Sequence, residues 1–375
     1  MRVTALELAN FRNYAALRFE PASGVCIFLG ANAQGKSNLL EALSLLSTGK
    51  SFRAAREADL IREGAPLARV AARVATKSGE VQAACVITRR GEGARKRFVR
   101  NGRTVPYSQF LGGIVAVTFM PSDLQLVSGP PALRRRMLNA ALSQADRQYY
   151  HRHAGYSQIL VQKNALLKAP SVDRELLSTY NEQLCAVGAQ LMASRAAYIR
   201  RLGREAADVH ARWVGPAGEL VLRYQPSPAL ADETPAAIAH ALGQALSAAT
   251  PAELARRSAL VGPHRDDMLF TLGGAALARI GSQGQQRTAV LALKAAEYAL
   301  LAQAAGEPPL LLLDDVLSEL DEERREAFIT SIRRLEQTFV TATDLPPAMQ
   351  AHATLYHIVD GCIEESPLTS GRAQA

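Results

Sequence analysis

The feature that most limits the fold is an eight-residue segment at positions 30–37, Gly-Ala-Asn-Ala-Gln-Gly-Lys-Ser. An apolar run at 25–29 precedes it, and leucines spaced along one face of a helix follow it, which predicts strand, glycine loop and helix. Glycines let the backbone N–H groups of such a loop turn inward around an anion at the helix N-terminus. The segment therefore predicts a phosphate-binding loop in an α/β fold.

The side chains of this loop have separate expected roles. Lys36 is expected to reach the β- and γ-phosphates of a nucleotide, and the Ser37 hydroxyl to ligate Mg²⁺. The residues predicted to contact the nucleotide are Gly30, Ala31, Asn32, Ala33, Gln34, Gly35, Lys36 and Ser37.

A second segment, at 310–315, has four leucines followed by two aspartates. The continuous apolar run is typical of a strand that is covered on both faces. In phosphate-loop enzymes a carboxylate at such a strand end orients the Mg²⁺ shell, which is the role expected for Asp314. Asp315 is expected to hold or polarise the attacking water. The acids alone indicate little, but together with the loop they predict a catalytic site that contains Lys36, Asp314 and Asp315.

A third segment, Ser-Gln-Gly-Gln-Gln-Arg at 282–287, lies directly before a predicted helix at 285–304. Taken alone, it is better explained as a helix N-cap with a preceding turn. Its place in the chain favours another interpretation, since the acidic strand follows it and Ser-Glu-Leu-Asp at 318–321 comes next. This order resembles the signature motif, the Walker B strand and the D-loop of ABC-type ATPases.

Composition is consistent with two or three folded domains in 375 residues, since 48% of the chain is hydrophobic and 21% is charged. Between 131 and 213 glycines are few and helical periodicity replaces strand alternation, with a helix break near 170–171. We therefore expect a head domain formed by 1–130 and 255–375, interrupted by a helical arm at 131–254.

The net charge of +8 is unevenly distributed. Residues 86–103 contain seven basic side chains and one acid, and residues 131–212 contain thirteen basic and six acidic side chains. Such a concentration of positive charge favours binding to a polyanion, because each phosphate of a nucleic acid that the protein neutralises releases counterions. A solvated basic face that only keeps the protein soluble is an equally good explanation of the charge alone. The candidate DNA contacts are Arg95, Lys96, Arg97, Arg134, Arg135 and Arg136.

The other residue classes argue mainly against alternatives. Four cysteines stand far apart without a Cys-x-x-Cys pair, which disfavours a disulfide framework or a zinc site and suggests small buried residues. We expect a cytoplasmic protein without a membrane span, because no apolar run is long enough for one. His264 is expected to have a structural role, and the tyrosines of the helical arm are expected to pack in its core.

Taken together, the chain resembles the RecF family in the SMC-like branch of ABC ATPases. The resemblance extends over essentially the whole chain, and residues 262–267 and 282–287 are its most specific parts. The segments that support it are residues 8–14, 30–37, 51–53, 134–136, 262–267 and 282–287.

This resemblance implies a two-lobed head with a short helical arm and a slow, DNA-stimulated ATPase. It also implies an ATP-dependent homodimer, in which Ser282 and Gly284 of one copy contact the nucleotide held by the loop of the other. Expected partners are single-stranded, gapped or junctional DNA and the RecO and RecR proteins. The implied roles are loading of the RecA recombinase, recombinational repair, replication restart and support of SOS induction.

Three positions depart from the usual ABC pattern. Asp315 stands where a glutamate is usual, which predicts slow hydrolysis. Residues 341–344, Thr-Ala-Thr-Asp, replace the usual histidine, and Thr343 is either a γ-phosphate contact or a plain strand end. Residues 120–123 occupy the region of the usual Q-loop glutamine and receive no role.

Two other functions remain open. A nucleotide-binding subunit of a membrane transporter shares these motifs, but about 250 residues and a basic helical module separate Gly30 from Ser282 here. A scaffold that binds nucleotide only to set its oligomeric state would need no turnover, and the short side chain of Asp315 is compatible with it.

Overall fold

Strands predominate towards the two ends of the chain and helices in its middle. The computed structural model describes residues 1–215, 218–320, 322–332, 335–344 and 353–365. The strands are β1 (Arg2–Phe11), β2 (Tyr14–Phe19), β3 (Gly24–Leu29), β4 (Leu67–Thr76), β5 (Gly79–Arg90), β6 (Gly93–Arg100), β7 (Arg103–Val105), β8 (Ala116–Phe119), β9 (Leu220–Gln225), β10 (Asp267–Leu272), β11 (Ala275–Ala276), β12 (Leu310–Asp314), β13 (Gln337–Ala342), β14 (Ala353–Val359) and β15 (Cys362–Glu365).

The helices are α1 (Lys36–Thr48), α2 (Tyr107–Phe110), α3 (Pro131–Ala145), α4 (Arg147–Lys168), α5 (Arg174–Val214), α6 (Pro235–Arg256), α7 (Leu277–Ile280), α8 (Gln283–Ala305) and α9 (Glu322–Ile332). Two compact units contain these elements. The first comprises residues 1–124 and 297–375, and the second comprises residues 125–296.

The first unit contains a mixed sheet in the order β15-β14-β3-β13-β12-β8. The pairs β14–β3, β3–β13, β13–β12 and β12–β8 are parallel, and β15 adds an antiparallel edge. Helix α1 covers this sheet, and all four leucines that predicted its apolar face are buried: Leu39, Leu40, Leu43 and Leu46. The predicted α/β class is confirmed.

A second sheet of this unit is antiparallel, in the order β2-β1-β4-β5-β6-β7. Its inner residues are buried and its outer residues are polar or small, which is the alternation expected of a sheet with one solvated face. On β6 the buried Phe98 is packed against Tyr107 and Phe110, at ring-centroid distances of 5.1 and 4.8 Å.

The second unit contains the predicted helical hairpin, formed by α4 and α5 around the break at residues 169–173. Helical periodicity in this region is confirmed on α5, where Leu177, Leu184, Leu191 and Tyr198 recur at spacings of seven residues and are all buried. The unit also contains a small sheet in the order β11-β10-β9. The sequence analysis did not predict β9.

The structure places residues 255–296 with the helices, whereas the sequence analysis assigned them to the head domain. Pairing is one reason, because β10 pairs along its whole length with β9. A buried ionic cluster is another. The Arg195 guanidinium of α5 donates to Asp266 Oδ2 at 2.7 Å, to Tyr149 Oη at 3.1 Å and to Asn139 Oδ1 at 2.9 Å. Arg195 and Asp266 are almost wholly buried, so this cluster anchors the loop before β10 to α5.

A second buried ion pair links α4 to α6. Lys163 Nζ lies 2.7 Å from Glu253 Oε2, and neither side chain is exposed. Glu253 Oε1 also accepts the Leu260 N–H at 2.9 Å. Removal of one partner would leave the other charge buried and unpaired.

We therefore expect Lys163→Met alone to lower the free energy of unfolding of the protein by about 3–5 kcal/mol. The double variant Lys163→Met, Glu253→Gln should recover most of that loss, because the glutamine still accepts from Leu260 and no charge remains. Urea unfolding of both variants measures this difference. Equal losses in the single and double variants would contradict it.

Candidate nucleotide-binding site

The phosphate loop connects the end of β3 to the start of α1, as the sequence predicted. Gly30 and Gly35 have φ angles of 151° and 115°, which side-chain-bearing residues rarely adopt. A Cβ on Gly30 would lie 2.4 Å from the Ile358 carbonyl oxygen, and one on Gly35 would lie 2.7 Å from the Asn13 amide nitrogen. The backbone conformation thus favours glycine at both positions, and at Gly30 a Cβ would also collide with the main chain of Ile358.

Lys36, the first residue of α1, is buried and turns back over the loop. Its ammonium donates to the Gly30 carbonyl at 2.5 Å and to the Ala31 carbonyl at 2.8 Å. Burial lowers the pKa of Lys36, and the nearby carboxylates of Asp315 and Asp314 oppose that change. The loop therefore surrounds a cation that lies near both acids.

The loop offers further donors to an anion. The first N–H groups of a helix have no partner within the helix and carry partial positive charge, so the start of α1 favours an anion. Ala31, Asn32 and Ala33 are exposed on the loop, and Ser37 is half-buried. These N–H groups, the Lys36 ammonium and the oxygens of Ser37 and Asp314 fit a nucleoside triphosphate with Mg²⁺.

The acidic strand end is held by a threonine of the neighbouring strand. The Thr341 hydroxyl donates to Asp314 Oδ1 at 2.9 Å, and its oxygen accepts the Asp315 N–H at 2.9 Å. Asp315 has a φ of 53°, and the Ser318 hydroxyl donates to its carbonyl at 2.9 Å. β13 lies between β3 and β12, so Thr341 fixes the acids from the strand next to the phosphate loop.

Thr341 is a residue of the candidate site that sequence reasoning missed. The sequence analysis considered Thr343, which is exposed beyond the end of β13. Thr341 pairs in register with Asp314, and only the strand order reveals this. The predicted D-loop residue Asp321 lies outside the described residues.

The turn between β1 and β2 also supports the loop. Asn13 donates from Nδ2 to the Gln34 carbonyl at 2.9 Å, and Tyr14 donates to the Gly35 carbonyl at 3.1 Å. Arg12 forms two hydrogen bonds of 2.8 Å with the fully buried Glu41 of α1. Residues 8–14 resembled the family at the sequence level, but no role could be given to them there.

The segment 282–287 begins α8 in the second unit. Ser282 is exposed; its N–H donates to Gln285 Oε1 at 2.9 Å, and its hydroxyl accepts the Gln285 N–H at 3.2 Å. This reciprocal pair is a capping box. Gly284 is half-buried, and its carbonyl accepts from Thr288 at 2.9 Å. The segment is a helix cap and is also accessible to a second molecule.

Two of the six candidate DNA residues have structural partners instead. Arg134 is 6% exposed; its guanidinium is bound by Asp267 at 2.6 and 2.9 Å and donates to the Leu126 and Gly129 carbonyls at 2.8 Å. Lys96 pairs with Glu57 and donates to the Gly49 carbonyl at 2.6 Å. We therefore withdraw both as DNA contacts, since binding DNA would break these interactions.

The other four candidates are more accessible. Arg95, Arg97 and Arg136 are exposed, while Arg135 is half-buried and donates to the Asp266 carbonyl at 2.7 Å. Strand alternation on β6 places Arg95 and Arg97 on the sheet face opposite to Lys96. By cross-strand pairing, Arg97 and Arg69 share this outer face through Val86.

His264, the cysteines and residues 120–123 lie outside the candidate site. His264 accepts from Tyr156 at 2.8 Å through Nδ1, and burial lowers the pKa of His264 to about 4. The residue is thus a neutral, hydrogen-bonded part of the loop before β10. Cys26 and Cys85 are buried as expected, but Cys362 is exposed. Met120 donates its N–H to the Asp123 carboxylate at 2.9 Å, which forms a local turn.

Two kinds of feature are absent from the described ranges. Over that part of the chain, the structure contains no cluster of three or more His, Cys, Asp or Glu side chains that could hold a metal ion. None of its described helices has the length and apolar character needed to cross a membrane.

Comparison with known proteins agrees with this geometry. A family model described as the RecF/RecN/SMC N terminal domain matches residues 2–362. The DNA replication and repair protein RecF of Symbiobacterium thermophilum is 40% identical over 353 residues, which cover 93% of each chain. The protein of the same name from Geobacillus kaustophilus is 35% identical over 97% of this chain and 99% of its own length.

Solved structures extend the comparison to the fold. The structure of the recombination mediator protein RecF with ATP, from the RecFOR pathway, has a TM-score of 0.89 at 30% identity over 97% of both chains. An Smc head domain from Pyrococcus furiosus has a TM-score of 0.56 at 17% identity, which indicates a shared head fold alone. The architecture is that of an ABC-type ATPase head with an inserted helical region, and the chain belongs to the RecF family.

Proposed function

We propose that this protein is a cytoplasmic, ATP-dependent DNA-binding protein of recombinational repair and replication restart. The observation that carries the proposal is the geometry of the loop. Lys36 is buried, Gly30 and Gly35 have φ angles that other residues rarely adopt, and two acids lie at the end of β12, two strands away from β3. The relatives named DNA replication and repair protein RecF and the solved RecF–ATP structure support it.

The residues of the loop would bind and orient the triphosphate. Backbone N–H groups at the start of α1 and the Lys36 ammonium would stabilise the phosphate charge. Ser37 and Asp314 would hold Mg²⁺, and Thr341 keeps the Asp314 carboxylate in a fixed orientation. Mg²⁺ would supply additional charge neutralisation at the phosphate oxygens.

Asp315 would orient the attacking water. Its side chain is one methylene shorter than the glutamate usual at this position, and its backbone is fixed by Thr341 and Ser318. Such a carboxylate reaches less far from the backbone than a glutamate would. Slow hydrolysis follows, so the protein would act as a switch that persists in its ATP state.

Nucleotide would also control a homodimer. Ser282 is exposed at the start of α8, where an N-terminal helix turn favours a phosphate group. Contact of Ser282 and Gly284 with nucleotide bound by a second copy would make ATP a part of the interface. A ligand that binds the dimer more tightly than the monomer shifts the population towards the dimer.

DNA would bind the outer face of the antiparallel sheet. This face has a shallow groove of about 260 Å³, whose lining includes Arg69, Arg73, Gln82 and Glu7 over a floor of alanines. Arg69 pairs there with Glu7 at 3.0 Å, between two exposed side chains, so DNA phosphates would have to compete with this carboxylate. Arg95 and Arg97 extend the same face, and their charges would contact phosphates without reading sequence. RecO and RecR proteins are the expected partners, and loading of RecA on single-stranded or gapped DNA is the expected outcome.

The dimerisation proposal predicts a specific loss. Lys36→Ala should abolish ATP-driven dimerisation, because the triphosphate loses the cation that offsets its charge. Light scattering of the wild type with ATP and Mg²⁺ should show a dimer, and the variant should remain monomeric. A dimer of the variant at the same ATP concentration would contradict the proposal.

The DNA surface predicts a change in salt dependence. The double variant Arg95→Gln, Arg97→Gln should bind gapped DNA more weakly and lower the log–log salt slope by about two. The matched control is Arg223→Gln, Arg256→Gln, which removes the same charge from exposed sites outside both basic segments. DNA binding titrated with salt measures both. Equal slopes in the two double variants would exclude this sheet face.

A further inference from the structure

The last hairpin of the described chain, β14–β15, donates hydrogen bonds to the phosphate loop. β14 and β15 are joined by the two-residue turn Asp360-Gly361, with φ angles of 47° and 74°. Positive φ at both central residues is typical of a type I′ turn, for which Asp-Gly is a preferred sequence. In this turn the strand pair Val359–Cys362 closes the hairpin, so the N–H groups of the turn residues are available to other acceptors.

Both of these N–H groups donate to Gln34 of the phosphate loop. The Asp360 N–H donates to Gln34 Oε1 at 2.7 Å, and the Gly361 N–H donates to the Gln34 carbonyl at 3.1 Å. The same carbonyl accepts from Asn13 Nδ2 at 2.9 Å. Asn13 in turn accepts from Asn38 of α1 at 2.8 Å, so Gln34 joins the hairpin, the β1–β2 turn and the helix.

The loop needs such support because its backbone is not intrinsically favourable. Ala33 has a φ of 68°, a left-handed conformation that costs a residue with a Cβ about 1 kcal/mol or more. Gln34 directly follows this strained residue. The hydrogen bonds of Gln34 therefore restrain the backbone next to its strained residue, Ala33.

The hydrogen bonds that Lys36 makes within the loop compete with its proposed contact with the phosphates. Lys36 now donates to the Gly30 and Ala31 carbonyls. If Lys36 turns to the phosphates, as the proposed function requires, the loop loses those two bonds. Gln34 accepts its hydrogen bonds from the hairpin and shares no partner with Lys36. These bonds therefore do not depend on the position of the Lys36 side chain.

We propose that Gln34 is a positioning residue for nucleotide binding, which holds the phosphate loop in its binding conformation through the Asp360-Gly361 turn. This inference rests on the proposed function and adds a role for the last hairpin. The Gln34 side chain acts through the loop backbone and makes no contact with the nucleotide.

The test is a set of three variants whose nucleotide affinity is measured by calorimetry with ATP and Mg²⁺. Gln34→Met keeps the side-chain length but removes the acceptor, and should raise the Kd about five- to tenfold, as expected for one lost hydrogen bond. Gln34→Glu keeps an acceptor oxygen for the Asp360 N–H, and should stay within about twofold of wild type at an ionic strength that screens its charge.

Glu364→Gln is the matched control on the hairpin, since Glu364 lies on β15 outside the turn and its side chain is exposed. It should bind ATP like the wild type. The thermal unfolding midpoint without nucleotide should be the same in all variants, because Gln34 is half-exposed and its side chain contributes little to the core.

Wild-type affinity in Gln34→Met, or no recovery in Gln34→Glu, would overturn the inference. A lower unfolding midpoint of Gln34→Met that accounts for its weaker binding would also overturn it, because the role would then be merely structural. Absence of ATP binding by the wild type would instead overturn the proposed function itself.

Discussion

The nucleotide site depends on a buried cation at the carboxyl edge of a parallel sheet. Lys36 is inserted between the loop carbonyls and two carboxylates, and this arrangement requires that β3, β13 and β12 end at the same edge. A buried ammonium is costly unless carbonyls or carboxylates compensate it, which both groups do here. The glycines, the order of the strands and the Thr341 bridge are the conditions under which this compensation is possible.

The second unit is organised by a different buried charge. Arg195 holds the loop before β10. Two of the arginines that the sequence suggested for DNA also have partners within this unit, since Arg134 binds Asp267 and the half-buried Arg135 donates to the Asp266 carbonyl. Part of the positive charge of this unit thus stabilises the packing of the unit itself. Charge counted along a sequence overestimates the charge that is available to a partner, because burial and pairing remove part of it.

Local patterns predicted the strand, glycine loop and helix at 25–48 and the acidic end of β12, whereas contacts between distant parts of the chain could not be predicted. The phosphate loop and the acids of β12 were predictable because each is a short segment with defined backbone chemistry. Thr341, Gln34 and the hairpin at 360–361 were not, since their roles depend on neighbours that are distant in sequence. The period of two along β6 could have separated the inward Lys96 from Arg95 and Arg97. The assignment of residues 255–296 was different from the structure because strand β9, their partner, carries too short a signal.

The central claim is that one nucleotide is bound by the loop of one copy and the α8 start of another. Mixing two variants, Lys36→Ala and Ser282→Arg, tests it directly through ATP turnover. Each variant alone should be inactive, whereas an equal mixture should regain turnover, because a mixed dimer has one site formed by an intact loop and an intact Ser282. The recovery should not exceed about a quarter of wild-type activity, the value for random pairing of the two variants. A mixture as inactive as its components would contradict a shared site, as would full activity of Ser282→Arg alone.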